Sequence, residues 1–357
     1  MIKTTGYAAQ QAGAKLAPFE FEHRELGARD ILIEILYCGV CHSDVHQVRG
    51  DWGDKIYPMV PGHEIVGTVS RVGKEVTQYK EGDSVGVGCM VDSCRQCASC
   101  HENLEQFCVE GFTATYNSLD RERATPTRGG YANYIVVRED FVLRIPPKAD
   151  LASTAPLLCA GITTYSPMRH WNVGPGQKVA VIGLGGLGHM AVKLAVAFGA
   201  EVTLFTRSNA KHDDALRLGA SKVVVSTDQA AMAAQQNQFD FILDTVAAPH
   251  DINSHIHTLK RDGVMVMVGV PAAADSIPFH PLGLIFGRRI LVGSLIGGIA
   301  ETQEMLDFCA KHDIRSDIEL INIHDINRAY ERMDKADVKY RFVIDMASLQ
   351  KVKLPVL

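Results

Sequence analysis

Hydrophobic positions follow two different patterns along this chain of 357 residues. In roughly the first 150 residues, short apolar and β-branched runs alternate with glycine-containing turns. The clearest runs are residues 31–37, 64–72, 84–87 and 134–137. Short runs at this spacing are typical of antiparallel strands. They predict an irregular, mostly antiparallel barrel for the first part of the chain.

Beyond residue 152 the pattern changes to apolar runs that alternate with helical stretches. The predicted strands are residues 178–182, 202–206, 222–226, 239–243, 264–269 and 290–294. Strands that alternate with helices predict a six-stranded, parallel, doubly wound sheet. Helical stretches at 300–312 and 325–335 and a strand at 339–345 follow the predicted sheet.

A glycine pattern follows the first of these strands and opens a predicted helix over residues 189–199. The first glycine of G-x-G-x-x-G permits a tight turn, the second lets a pyrophosphate approach, and the third allows close helix–strand packing. A helix N-terminus also favours an anion. The pattern predicts a dinucleotide site at Gly183, Leu184, Gly185, Gly186, Leu187 and Gly188.

The end of the second predicted strand indicates which dinucleotide binds there. An acidic residue at this point would bond the ribose 2′-hydroxyl of NAD. This chain has none, and instead it carries Thr206, Arg207, Ser208 and Lys211. Cations attract a 2′-phosphate and hydroxyls can donate to it, so we expect NADP(H). The alternative is that the two cations are ordinary solvated side chains.

Four cysteines form a C-x2-C-x2-C-x7-C pattern, which predicts a structural zinc site at Cys94, Cys97, Cys100 and Cys108. Four sulfur ligands leave no open position on a tetrahedral ion, so this site is not catalytic. Disulfides between cysteines this close would be strained. An iron–sulfur cluster is the other alternative, although its familiar cysteine spacings differ.

A second, open zinc site is predicted from Cys41, His63 and Cys159. Two thiolates and one imidazole hold zinc and leave the fourth position free for water or substrate. Each residue alone would more simply be a packing cysteine or a hydrogen-bonded histidine. Asp44 is expected to accept the second N–H of His63 and so to fix its tautomer. Glu64 is expected either to bind this zinc as an alternate ligand or to act as a nearby counter-charge.

Composition narrows the class of protein. The net charge of −5 provides no basic surface for nucleic acid, and no apolar run reaches transmembrane length. The cysteines lie in metal motifs instead of a disulfide framework, and the first residues lack a signal-peptide pattern. We therefore expect a cytoplasmic protein with no nucleic-acid or membrane partner.

Together these motifs resemble the zinc-dependent medium-chain alcohol dehydrogenase family, and most closely its cinnamyl-alcohol-dehydrogenase-like, NADPH-dependent aldehyde reductases. The matching segments are Gly39–Asp44, Pro61–Glu64, the Cys94 cluster, Leu158–Gly161, Gly183–Gly188 and Tyr340–Val343. The resemblance implies an α/β protein in which a GroES-like, mostly-β catalytic domain accompanies a Rossmann domain. The expected catalytic domain is 1–151 with 295–357 and holds both zinc sites, and the NADP-binding domain is 152–294.

The resemblance also implies roles for individual residues. It implies a proton relay from Ser43 through the nicotinamide ribose to His46, and it places His42 near the pyrophosphate. Further cofactor contacts are expected at Thr163, Val268, Gly269, Val270, Ser294 and Arg341. Substrate contacts are expected at Trp52, Tyr57 and Met90, and the protein is expected to be a homodimer.

The expected reaction is hydride transfer between NADPH and an aldehyde, with two zinc ions per chain. A polyol or secondary-alcohol dehydrogenase of the same superfamily is an alternative, which NADP preference disfavours. A non-catalytic zinc- and nucleotide-binding protein is another, which the complete open site with Ser43 disfavours. The acidic balance argues against a nucleic-acid-binding zinc module. A zinc-free quinone reductase would require both metal motifs to be coincidental.

Overall fold

The computed structural model describes residues 1–53 and 55–351. The chain divides into two units, one formed by Met1–Cys159 with Gly297–Leu357 and the other by Ala160–Ile296. Residues 352–357 of the expected catalytic domain lie outside the described residues. Residues 152–159 thus belong to the first unit, whereas the expected boundary between the two domains fell after residue 151.

The N-terminal part of the first unit is built mainly from strands. They are β1 Ile2–Ala8, β2 Ala17–His23, β3 Asp30–Val40, β4 Ile65–Val72, β5 Ser84–Val87, β6 Met90–Asp92, β7 Thr113–Ala114, β8 Tyr134–Arg138 and β9 Leu143–Arg144. Its helices are α1 His42–Arg49, α2 Ala98–His101 and α3 Leu151–Thr154, with 3-10 turns at Glu105–Phe107, Glu139–Phe141 and Ala155–Leu158.

The second unit holds strands β10 Lys178–Ile182, β11 Glu201–Thr206, β12 Lys222–Val225, β13 Phe239–Asp244, β14 Leu259–Met267 and β15 Ile290–Gly293. Its helices are α4 Ala160–His170, α5 Gly188–Ala197, α6 His212–Arg217, α7 Gln229–Ala233, α8 Ile252–Ile256 and α9 Leu282–Ile285, with a 3-10 turn at Asn209–Lys211. The C-terminal part of the first unit adds α10 Ile299–Lys311, β16 Ile318–Asn322, α11 Ile326–Asp334 and β17 Arg341–Asp345, with 3-10 turns at Ile323–Asp325 and Met346–Lys351.

The long strand β3 organises the sheet of the first unit, whose order is β16-β17-β3-β4-β5-β9. Its residues 30–34 pair with β8, and residues 37–40 pair with β17. All neighbours in this sheet are antiparallel except β16 and β17. The prediction of a mostly antiparallel first unit is confirmed. The pairing of β17 with β3 also brings the C-terminal strand to the residues just before Cys41.

The second unit is a six-stranded parallel sheet of order β12-β11-β10-β13-β14-β15, as predicted. Val179, Ala180 and Val181 of its central strand are fully buried, as expected for a strand covered on both faces. Strand β14 begins earlier than predicted and ends at Met267. Val268, Gly269 and Val270 therefore follow the strand. No helix among the described residues is long and apolar enough to cross a membrane.

Candidate metal and dinucleotide sites

Cys41, His63 and Cys159 come together in the first unit from three separate segments. Cys41 directly follows β3 and is the N-cap residue of α1, His63 precedes β4, and Cys159 follows the turn at residues 155–158. All three residues are buried, and with Glu64 their ligand atoms lie within 4.8 Å of one another. The structure thus brings the predicted ligands of the open site into one group.

The spacing of this group fits zinc. The two sulfur atoms of Cys41 and Cys159 are 4.0 Å apart. Sulfur ligands at 2.3 Å from a tetrahedral ion would be separated by about 3.8 Å. Hydrogen bonding from Cys159 and the charge of Arg341 lower the pKa of the Cys41 thiol, although burial opposes them. A thiol with a lowered pKa gives the thiolate that a metal requires.

Local backbone geometry sets the position of His63. The preceding Gly62 has a φ of +102°, and a Cβ there would lie 2.7–2.9 Å from Tyr131, Cys38 and the backbone of Gly130. Only glycine satisfies both constraints without displacing its neighbours. The tight turn at Gly62 therefore directs His63 toward Cys41.

Asp44 connects the backbone of this region to the His63 ring. Its Oδ1 accepts from the N–H of Gly62 at 3.1 Å and lies 3.1 Å from Nδ1 of His63, while its Oδ2 accepts from the N–H of Cys41 at 2.9 Å. The hydroxyl of Tyr131 also donates to Oδ2, at 3.2 Å. Burial lowers the pKa of His63, but the charges of Asp44 and Cys89 and the hydrogen bonds with Asp44 and Cys41 together outweigh burial, so the pKa is raised. This contact leaves Nε2 of His63 for a metal, as expected from the sequence.

Glu64 lies beside the same group and is fully buried. One carboxylate oxygen forms an ion pair with Arg341, whereas Oε2 has no hydrogen-bond partner among the described residues. Burial raises the pKa of Glu64 to about 7, and the Arg341 charge opposes the rise. The guanidinium of Arg341 lies buried against Glu64 and 3.9 Å from the sulfur of Cys41, and its expected cofactor contact stays a prediction.

The predicted relay residues lie on α1, directly after Cys41. The hydroxyl oxygen of Ser43 is 3.6 Å from the Cys41 sulfur. Nδ1 of His46 lies 2.7 Å from a carboxylate oxygen of Asp51, which the sequence did not suggest. His42, at the first position of α1, is exposed. The structure therefore orders Ser43 and His46 along one helix, with Asp51 holding the imidazole.

The three predicted substrate residues differ in their surroundings. The ring of Trp52 stacks on His46 with centroids 4.9 Å apart. The Tyr57 hydroxyl donates to the carbonyl of Val48 at 3.0 Å, and Met90 is buried in β6. Cys89, interpreted from the sequence as a packing residue, is half-buried and interacts with Cys159 and His63. It therefore borders the metal-ligand group.

The four cysteines of the predicted structural zinc site lie together in one loop. The sulfur atoms of Cys94 and Cys97 lie 3.9 Å and 3.5 Å from that of Cys100. The backbone N–H of Cys94 donates to the Cys108 sulfur at 3.3 Å. All four sulfur atoms lie within 4.8 Å of one another, which suits a tetrahedral ion. Backbone N–H groups lower the pKa of Cys97 to about 6, which favours its thiolate.

In the second unit, the glycine loop joins β10 to α5. Gly183 has a φ of +89°, and a Cβ on Gly188 would collide with the carbonyl oxygen of Gly183. A Cβ on Gly185 would meet no atom within 4 Å, so this edge of the loop is open. Leu184 is buried, while Gly186 and Leu187 are half-buried before the helix begins. The three glycines therefore meet the three requirements of a dinucleotide loop.

The predicted 2′-phosphate residues follow β11. Arg207 and Ser208 are exposed, and Thr206 ends the strand. Nζ of Lys211 donates to the carbonyl oxygen of Leu184 at 2.6 Å, which brings this cation to the glycine loop. Residues 206–211 contain no carboxylate. This composition suits a phosphate better than a ribose hydroxyl.

The remaining predicted cofactor residues lie on three different segments of the second unit. Thr163 is buried in α4. Val268 and Gly269 follow β14, where Gly269 packs against the carbonyl of Val246, and Val270 is exposed. Ser294 follows β15, and its N–H donates to the carbonyl of Met267 at 3.2 Å. Their cofactor contacts stay predictions.

Comparisons with known proteins agree with this geometry. The family model described as the alcohol dehydrogenase GroES-like domain matches residues 27–147, and that of the zinc-binding dehydrogenases matches residues 186–311. The chain is 56% identical to aldehyde reductase YahK of Escherichia coli over 98% of its length and 99% of that protein.

Two solved structures are also similar. Cinnamyl alcohol dehydrogenase SbCAD4 from Sorghum bicolor has a TM-score of 0.94 and 45% identity, covering 97% of this chain and 98% of that one. CAD from Helicobacter pylori, in a complex with NADP(H), has a TM-score of 0.92 and 44% identity, covering 97% of this chain and 99% of that one.

Proposed function

This chain belongs to the zinc-dependent medium-chain alcohol dehydrogenase family, and on that premise we propose that it reduces aldehydes to primary alcohols with NADPH and catalyses the reverse oxidation with NADP⁺. The observation that carries the proposal is the buried group of Cys41, His63 and Cys159. Two thiols and one imidazole hold an ion while leaving one tetrahedral position for a substrate oxygen.

Each residue of this group has a distinct task. Zinc bound there supplies Lewis acidity that stabilises negative charge as an aldehyde is reduced. Cys41 and Cys159 hold the ion as thiolates, and His63 binds through Nε2 because Asp44 occupies the other nitrogen. Glu64 is paired with Arg341, so its charge is balanced inside the site. Its unpartnered oxygen provides an alternate ligand when substrate is absent.

Ser43 and His46 carry the proton that alcohol formation consumes. The Ser43 hydroxyl lies next to a zinc ligand, where it can donate to a developing alkoxide. One ring nitrogen of His46 is held by Asp51, and an imidazole can accept a proton at one nitrogen and release it at the other. The Asp51 carboxylate fixes the orientation of the ring, so that the other nitrogen is left to exchange the proton.

NADP(H) binds to the second unit in this proposal. The glycine loop receives the pyrophosphate at the N-terminus of α5. Arg207 and Lys211 attract the 2′-phosphate, and Thr206 and Ser208 donate hydrogen bonds to it. The similar Helicobacter pylori structure, which is complexed with NADP(H), supports this choice.

Two zinc ions per chain complete the proposal. The second is held by the four sulfur atoms of Cys94, Cys97, Cys100 and Cys108, and its role is structural. None of the nine cysteines is in a disulfide, which supports a reducing, cytoplasmic location. Measured zinc-to-protein ratios near two, falling toward one in a Cys159→Ala variant, would test the count.

A homodimer is supported by an apolar surface of the second unit. Strand β15 is at the edge of its sheet and pairs only with β14 among the described strands. Exposed apolar side chains lie on and beside it, at Leu282, Ile285, Phe286, Ile290 and Leu295. An exposed apolar edge strand is suited to pairing with a second copy of the chain. Light scattering should give twice the chain mass, and an Ile290→Lys variant should be monomeric.

The deciding experiment is a dinucleotide oxidation assay. NADPH absorbance at 340 nm is followed with a panel of aldehydes, in parallel with NADH, before and after removal of accessible zinc. We expect turnover with NADPH that is lost on chelation and in Cys159→Ala. Cys309→Ala is the matched control, because Cys309 is buried in α10 against Met305. Zinc-loaded protein that reduces no aldehyde would contradict the proposal and favour polyol oxidation or a non-catalytic role.

A further inference from the structure

Asp244 and His250 form a buried charge pair in the second unit that none of the predicted cofactor residues explains. Asp244 ends β13 with its side chain 1% exposed, and the side chain of His250 is 14% exposed. Nε2 of His250 lies 2.9 Å from Oδ2 of Asp244, and Nδ1 lies 2.8 Å from the carbonyl oxygen of Ala248. Both ring nitrogens face acceptors, which is the arrangement of a doubly protonated imidazolium.

The surroundings support this charge state. The hydrogen bond that His250 donates to Asp244 raises the pKa of His250, burial opposes the rise, and the hydrogen bond to Ala248 adds to it. The neighbouring His255 of α8 has a lowered pKa because it is buried, so it is not a competing cation. Among the described residues, His250 is the one cationic side chain paired with Asp244. The imidazolium is therefore the counter-ion of a buried carboxylate.

Asp244 forms hydrogen bonds near both ends of the segment 245–250. Oδ2 of Asp244 bonds to His250 at the far end, while Oδ1 accepts the N–H of Val246 at 3.1 Å near the start. The hydroxyl of Thr245 donates to the carbonyl of Ile182 at 2.7 Å. Ile182 is the last residue of β10, directly before the glycine loop. The segment is thereby attached to the strand that carries the loop.

The same segment lines the glycine loop. A Cβ on Gly183 would lie 3.0 Å from Val246 and 3.2 Å from the Thr245 hydroxyl, and one on Gly188 would lie 3.3 Å from that hydroxyl. On its other side, the backbone of Val246 packs against Gly269. A displacement of residues 245–246 must therefore shift the turn at Gly183 or the chain after β14.

We propose that His250 is a positioning residue, which through Asp244 holds the segment 245–250 against the glycine loop and thereby sets the affinity for the dinucleotide. The proposal rests on the proposed function of that loop as a dinucleotide site. Loss of the imidazolium would leave a buried carboxylate without a counter-ion. The segment would have to move to hydrate it, and the wall of the loop would move with it.

The test is the dissociation constant of NADPH, measured by fluorescence titration on the full, zinc-loaded chain. His250→Gln should weaken binding roughly tenfold, since an uncompensated buried charge costs at least the equivalent of one decade. A double variant, Asp244→Asn with His250→Gln, removes both charges and should recover most of the affinity. His257→Gln is the matched control, because His257 is an exposed histidine just after α8. Zinc content should be unchanged throughout.

Two results would overturn the proposal. One is NADPH binding by His250→Gln that is as tight as in the parent chain. The other is a loss of affinity that only parallels a lower melting temperature of the ligand-free protein, with no recovery in the double variant. If the parent chain binds NADH and not NADPH, the proposed cofactor is wrong and the same series decides the role of His250 with NADH. If it binds neither dinucleotide, both proposals fall.

Discussion

The guanidinium of Arg341 is paired with the carboxylate of Glu64, and their side chains are 4% and 0% exposed. Arg341 begins β17, whereas Glu64 directly precedes β4, so the contact links distant parts of the chain. It exists because β17 and β4 pair with opposite edges of β3. The family resemblance implies a cofactor contact for Arg341, which stays a prediction, while its neighbours in the structure belong to the metal-ligand group.

Loss of the Arg341 charge should destabilise the first unit. In Arg341→Met, Glu64 is left buried without a counter-ion, which costs about 3–5 kcal/mol of the free energy of unfolding. Adding Glu64→Gln removes the charge and should restore much of that loss. Urea unfolding measures both variants. If Arg341→Met is as stable as the parent chain, the ion pair of Arg341 and Glu64 makes no net contribution to the free energy of unfolding.

Removal of the Tyr131 hydroxyl should weaken the open metal site without affecting the cysteine cluster. Tyr131 is fully buried, and its hydroxyl donates to Asp44. A hydrogen bond to a charged group contributes about 1.5–3 kcal/mol, so Asp44 in Tyr131→Phe should orient His63 less firmly. A competing chelator should then remove the zinc held by Cys41, His63 and Cys159 more readily than it does in the parent chain.

Tyr79→Phe is the control for that prediction. Its hydroxyl donates to the carbonyl of Val142 at 2.5 Å and makes no contact with Asp44 among the described residues. This variant should lose stability but keep its zinc affinity. Equal zinc release from both variants would indicate general loosening of the unit instead of a role for Tyr131.

A carboxylate at position 206 should shift the cofactor preference toward NAD. Thr206 ends β11, at the point where an acid would bond the ribose hydroxyls and repel a 2′-phosphate. The ratio of kcat/KM for NADH over NADPH should rise at least about tenfold in Thr206→Asp, equivalent to about 1.4 kcal/mol. Thr206→Asn has a similar size without the charge and should change the ratio far less. An unchanged ratio in Thr206→Asp would place the 2′-phosphate elsewhere.

The Ser43 hydroxyl should matter for turnover and not for metal binding. Ser43→Ala removes the group next to Cys41, and general acid catalysis typically contributes about 10²–10⁴ in rate. We expect kcat to fall at least about a hundredfold, with zinc content unchanged. Ser43→Thr keeps the hydroxyl and should retain part of the activity. Full activity in Ser43→Ala would remove this residue from the relay.

Glu139 should contribute stability that is lost in acid. Burial would raise its pKa, but the N–H groups of Thr77 and Gln78 and the Arg29 guanidinium outweigh burial and hold the pKa below its usual range. A lowered folded-state pKa means that the contribution is present above the unfolded-state pKa of about 4.5 and is lost as pH falls through the folded-state value.

Glu139→Gln should therefore be less stable than the parent chain at pH 7, by about 1.5–3 kcal/mol, and the difference should shrink as the pH falls below about 4.5. Urea unfolding across this pH range measures it. Glu81→Gln, at an exposed position, should follow the parent chain at every pH. A stability difference that grows as the pH falls would contradict this prediction, because it would mean that folding raises the pKa of Glu139.

Much of the architecture could be predicted from local pattern. The six strands of the second unit were visible because each contains a short apolar run, which in central strands such as β10 and β13 is buried within a parallel sheet. The requirement for glycine at positions 183 and 188 follows from spacing, since the positive φ of Gly183 and its close approach to Gly188 lie within one short loop. The four-cysteine cluster is equally local, because one loop supplies every sulfur atom.

Contacts between distant segments were decided only by the tertiary structure. Strand order brings Arg341 to Glu64, and the paths of loops bring Tyr131 to Asp44 and His250 to Asp244. No periodicity in the chain encodes which distant side chain meets a buried charge. Which side chain meets a buried charge depends on how the strands pair and on which buried charged groups need a counter-ion. The sequence by itself determined the elements and the types of ligand, while packing decided which side chains hold those ligands in place.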